Sequence, residues 1–166
     1  MTAKDDAFAR VEQAYVAFRD LIAMLPDEAY GEVFAGEWDL DRVLAHMAGW
    51  YRELAPEFAR IVAGNPTPFS TWQNFDAWNA RFAAQAQHGM AALDDFDMAF
   101  HEFYAAAKEI SEEHWGTDAE GKSLPVPALF TLNGAVNEAT HDVTLALAPA
   151  AGREIAAIDL LPGNPA

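Results

Sequence analysis

Large apolar residues recur along this chain at alternating steps of three and four, and that rhythm most constrains its fold. Phe8, Val11, Tyr15, Phe18, Ile22 and Leu25 set it first. An α-helix turns about 100° per residue, so such residues line one face. The spacing predicts a helix over 4–25, stopped at Pro26, where Pro-Asp-Glu reads as a turn or the start of a short helical turn. Leu40, Val43, Leu44, Met47, Trp50, Tyr51, Leu54, Phe58 and Ile61 repeat the pattern. Asp39 stands where it can cap that second helix, and Pro56 predicts a kink or a break within it. After a loop at 64–72, a third helix is expected over 73–87, with Phe75, Trp78 and Phe82 inward and His88-Gly89 at its end. A fourth over 93–113, capped by Asp94 or Asp95, would bury Phe96, Phe100, Phe103, Ala107 and Ile110. An irregular link at 114–126 leads to a last helix over 127–148, carried by Leu129, Leu132, Val136, Val143 and Leu147. No alternating strand pattern competes. The expectation is an all-α, up-and-down four-helix bundle with an additional short helical segment or tail: one domain over 1–148 and a tail over 149–166.

A chain of 166 residues with 52% hydrophobic content can bury a real core. Its net charge of −16 disfavours nucleic acid and anionic membrane surfaces, because nothing offsets a run of phosphates. The absence of cysteine removes disulfides, thiolate metal sites and cysteine nucleophiles together. Two aspartates near the N-terminus, and no apolar run approaching the roughly 20 residues of a membrane span, lead us to expect a cytoplasmic protein. A bundle of this size is also expected to form a homodimer. Its partner would be a small molecule, neutral or cationic unless Arg42, Arg52 or Arg81 lines the entrance.

Chemistry must then rest on histidines, amides and carboxylates. His46 falls at the edge of the second helix's apolar stripe, one turn from Val43 and Trp50. It is either a boundary histidine bonded to a neighbour or an imidazole facing a groove. His141 lies nearly opposite the last helix's stripe, beside Asn137 and Glu138, on a face that meets either solvent or another helix. Asn79, next to the Phe75–Phe82 seam, is as fit for an interhelical hydrogen bond as for a ligand. Trp50, Trp72 and Trp78 read most simply as packing residues. His88, His101 and His114 carry no assignment.

The stretch EWDLDRVLAHMAGWYREL (37–54) resembles the W-x-x-x-D/R-x-x-x-H-x-x-x-W opening of the DinB-like, mycothiol-dependent-isomerase-like bundles, and NEATHDVTLAL (137–147) resembles their closing helix. TWQNFDAWNARF (71–82) is closer to the ClbS/DfsB branch of that superfamily. The resemblance implies a groove between the second and last helices, with His46 and His141 as catalytic residues and Trp50, Trp78, Asn79 and Asn137 binding the ligand. Metal-binding branches use three histidines, or two and a glutamate, on zinc or nickel. Here His46 and His141 match the outer positions, while the middle one falls on Asn137, a poor zinc ligand, with Glu138 turned about 100° away. The ClbS/DfsB branch implies a protein that hydrolyses or sequesters a reactive metabolite. The alternatives are a metal-dependent thiol transferase or isomerase, and a non-catalytic binding or dimerisation module with a degenerate site.

Overall fold

A computed structural model of the chain describes residues 2–33, 37–63, 65 and 75–115. The first helix, α1 (Ala3–Ala23), starts at Thr2, whose hydroxyl accepts the Asp5 N–H while the Asp5 carboxylate accepts that of Thr2, a reciprocal capping box. Phe8, Val11, Tyr15, Phe18 and Ile22 are buried along it, as the spacing requires, and Leu25 is buried just past its end. Pro26 then leads into a short 3₁₀ helix, Asp27–Gly31, which buries Ala29 and Tyr30.

The second helix, α2, runs Leu40–Val62 without a break at Pro56. Proline removes one backbone hydrogen bond, but this one is exposed while Leu54 and Phe58 on either side are buried. The freed carbonyl can therefore meet water while tertiary packing holds the helix. Asp39 caps it as expected, with Oδ1 accepting the Arg42 N–H at 2.9 Å.

The third helix, α3 (Phe75–Ala83), ends four residues before the expected 87, in a turn at 84–85. Of its expected inward residues Phe82 is buried, Trp78 is half-buried and Phe75 is exposed. The fourth, α4 (Met90–Lys108), begins earlier than the pattern predicts, and neither Asp94 nor Asp95 caps it. Gly89, at φ +63°, occupies the cap position, and Asp41 of α2 accepts its N–H at 3.0 Å. A carboxylate from another helix thus holds the cap residue in place, while no side chain caps the first turn. A single turn, α5 (Glu112–Trp115), closes the described segment and buries Trp115. The last helix over 127–148, most of the 64–72 loop, most of the 114–126 link and the 149–166 tail lie outside the described residues.

The core lies where α2 crosses α4, with α1 laid against α4. Phe103 takes Tyr51 at 4.8 Å and Phe58 at 5.2 Å between ring centres, while Phe96 takes Phe18 edge-on at 5.4 Å. Tyr15 stacks on Phe100 at 3.8 Å and donates its hydroxyl to Asp97 at 2.8 Å, which Arg19 also meets at 3.2 Å. This clamp fixes α1 on α4 and leaves one edge of α2 to α3. Among the described residues no helix is long and apolar enough to cross a membrane.

Candidate functional site

The edge of α2 that faces α3 is built from rings with polar handles. Trp38, just before the helix, sits against His46 at 5.0 Å, and His46 meets Trp50 at 6.4 Å. His46 and Trp50 stand four apart and are neighbours on α2, while Trp38 reaches His46 from the segment that precedes the helix. Trp50 then stacks on Trp78 of α3 at 6.1 Å and packs against Phe75 and Phe82 at 5.7 and 5.3 Å. Its indole N–H donates to Asn79 Oδ1 at 2.9 Å, joining the two helices through a polar group inside an aromatic seam.

Gly49 makes this closeness attainable. A β-carbon there would lie 2.3–2.8 Å from three atoms of the Phe82 ring, so the buried Phe82 rests directly on the backbone of α2. On the next flank of α2 a groove of about 230 Å³ opens between α2, α3 and α4, with Gly49 and Phe82 on its lining. Two ion pairs border it: Arg52 holds Asp95 in a fork at 2.6 and 3.0 Å, and Arg81 meets Glu53 at 2.7 Å. Arg81 also lies 4.3 Å over the Trp78 ring.

His46 is half-buried, its Nδ1 is enclosed, and that nitrogen has no hydrogen-bond partner. Burial lowers its pKa, so the ring is neutral at pH 7. A buried nitrogen left unsatisfied costs free energy, and such atoms in native folds call for an explanation. Glu57 is the other such case among the described residues. Its side chain is 4% exposed, Oε2 is unpartnered, and Oε1 stands 3.5 Å from Arg60. Burial raises its pKa, against the opposing effect of Arg60.

Four of the residues singled out from the sequence are therefore brought together: His46, Trp50, Trp78 and Asn79. Asn79 spends its carbonyl on Trp50, the interhelical bond that was one of its two readings. His46 Nδ1 has no hydrogen-bond partner. His141, Asn137 and Trp72 lie outside the described residues.

Of the metal set implied by the resemblance, His46 with His141 and Asn137, only His46 is described. A neutral ring with a free nitrogen is a competent donor. Among the described residues, however, no three His, Asp or Glu side chains are grouped to hold an ion. One imidazole does not by itself make a metal site.

Sequence reasoning missed the place of Trp38 and the partners of Arg81 and Asp41. Trp38 was legible in the motif but assigned no place at the site. Arg81 stands three residues after Trp78, where a helix puts a cation over a ring. Asp41 is buried and pairs with His88 Nδ1 at 2.6 Å, an imidazole otherwise left unassigned. Nothing local links residues 47 apart in the chain.

No family model matches the sequence, and no curated protein matches it. Among solved structures, the chain is similar to the mycothiol-dependent maleylpyruvate isomerase, with a TM-score of 0.69 at 15% identity over 85% of this chain. It is likewise similar to a histidine-to-alanine mutant of that enzyme, with a TM-score of 0.71 at 16% identity. The chain spans 60% of the length of either neighbour. The fold is accordingly the all-α, DinB-like helical bundle.

Proposed function

We propose that this chain is a DinB-fold small-molecule-handling protein of the ClbS/DfsB kind, which hydrolyses or sequesters a reactive metabolite against the aromatic edge of α2. One observation carries the reading. A neutral, half-buried imidazole with an unsatisfied nitrogen stands beside Trp38 and Trp50, and Trp50 is locked to α3 through Asn79. The rings supply area for a flat apolar ligand. His46 takes the proton of a water whose oxygen bonds to the electrophilic carbon. A second polar group returns a proton to the leaving atom.

The test follows an epoxide, an activated cyclopropane and an enone by NMR with the purified full chain. Consumption of at least one is expected, falling about 10²–10⁴-fold in His46→Ala. Because the base form reacts, the rate should rise with pH through the lowered pKa of His46 and level off above it. Turnover unchanged in His46→Ala would sink the assignment.

A second reading has the structural neighbours in its favour, namely a thiol-dependent isomerase. Maleylpyruvate with mycothiol, with and without added zinc, tests it directly. Zinc-dependent isomerisation would replace the hydrolytic reading.

A further inference from the structure

The groove between α2, α3 and α4 carries both signs of charge on its walls. We propose that it binds a small zwitterion, a free α-amino acid with a short apolar side chain, at Arg81 and Glu53. The site is separate from the His46 edge, and the inference stands without the reading above.

Two cations and two anions line the groove, Arg52 and Arg81 with Glu53 and Asp95, so its local charge cancels. The two pairs differ in the bonding capacity they keep. Arg52 and Asp95 close a fork, with Nη1 on Oδ2 at 3.0 Å and Nη2 on Oδ1 at 2.6 Å, and Nη2 also meets the Asp95 carbonyl at 3.3 Å. That pair ties α2 to α4 through two parallel bonds. Arg81 and Glu53 share a single hydrogen bond, Nη2 to Oε1 at 2.7 Å. A guanidinium has five N–H donors and a carboxylate two oxygens, so among the described residues both members keep unused positions. Arg81 is steadied instead by rings, lying 4.3 Å over Trp78 and 5.0 Å over Phe82, which takes none of its N–H groups. The two side chains are 50% and 34% exposed, so a ligand reaches them without opening the fold.

A lone carboxylate bonded to Arg81 would stand beside the charge of Glu53. A lone ammonium bonded to Glu53 would stand beside that of Arg81. In a half-enclosed groove each like-charge contact costs free energy. A zwitterion meets both partners: its carboxylate accepts from Arg81, its ammonium donates to Glu53 Oε2, and the existing pair stays intact. Partners 2.7 Å apart call for ligand charges on neighbouring carbons, which is the α-amino acid pattern. Such a ligand has no net charge and escapes the repulsion that −16 imposes on anions. Ala45, Gly49 and Phe82 supply apolar lining for its side chain, and the volume of about 230 Å³ keeps that side chain short.

Three matched molecules, L-alanine, propionate and ethylammonium, are titrated into the isotope-labelled full chain while the side-chain amide of Gln85, on the groove lining, is followed by NMR. Alanine should shift that resonance saturably and bind at least about tenfold more tightly than either singly charged analogue. Arg81→Gln and Glu53→Gln should each weaken alanine about tenfold or more, with an unchanged Trp50 indole N–H resonance showing that α3 still sits on α2. The comparison of the three molecules on wild-type protein decides the matter even where a variant disturbs α3. Equal affinity for all three overturns the proposal, as does an unmoved Gln85 resonance at saturating alanine, or alanine bound undiminished by both variants. None of these outcomes bears on His46, which the electrophile assay reads separately.

Discussion

The two sides of α2 are packed on opposite principles. Toward α4 it presents Tyr51 and Phe58, both buried, against Phe96 and Phe103. Toward α3 it presents the half-buried Trp50, its nitrogen bonded across the seam, and beside it stands His46, half-buried, with one nitrogen bonded to nothing. The first side spends its surface on area and dispersion, which are non-directional and collectively large. The second spends it on rings with polar ends, which hold position by few, directed contacts. One helix can do both because the α4 side anchors it. The α3 edge is then free to carry unsatisfied groups that a solitary helix would not tolerate.

The comparison breaks first at Phe103. Phe103→Ala should cost about 3–5 kcal/mol in urea unfolding, since the ring is enclosed and touches both Tyr51 and Phe58. A loss below about 1 kcal/mol would mean that the α2–α4 side is not the anchor.

Gly49→Ala probes the other side. Overpacking against Phe82 should cost about 1–3 kcal/mol, partly offset by up to about 1 kcal/mol of helix propensity. The net effect should be destabilising, with a shift in tryptophan emission as Trp50 and Trp78 move apart. A stabilised variant with unchanged emission would show that α3 is loosely seated.

The smallest effects are in the histidines, and they have opposite signs. Asp41 raises the pKa of His88, through their hydrogen bond first and its charge second. The stability His88 contributes is therefore complete below its unfolded pKa of about 6.5 and is lost as pH rises through the raised folded value. Burial lowers the pKa of His46, so its contribution is complete above about 6.5 and is lost as pH falls toward the depressed folded value. His88 is largely exposed, which keeps its share small. Unfolding midpoints of His88→Ala and His46→Ala, each subtracted from wild type between pH 5 and 9, should slope in opposite directions. Parallel slopes would remove the distinction between the two sites.

What could be read in advance follows the range of the forces involved. The α1 stripe from Phe8 to Leu25 and the α4 stripe from Phe96 to Ile110 were legible because burial repeats with the helical period. The Asp39 cap was legible because it acts on a residue three positions away. The start of α4 was not. Its cap group is held by Asp41, and nothing local marks a partner 48 residues off. Phe75 was misplaced for a related reason. Its spacing from Phe82 fits one face, but a face is buried only if another element covers it, and Phe75 stands 47% exposed.

The site divides in the same way. The sequence by itself determined that His46 lies on the edge of an apolar stripe in step with Trp50, because helical geometry alone sets that relation. It also determined that the chain has no cysteine thiol of its own. That Trp50 donates to Asn79, that Gly49 is the seat of Phe82 and that Arg52 pairs with Asp95 and Arg81 with Glu53 were decided only by the tertiary structure. Each joins residues from different helices, or picks one partner among many carboxylates, and that choice is made by three-dimensional packing rather than by spacing along the chain.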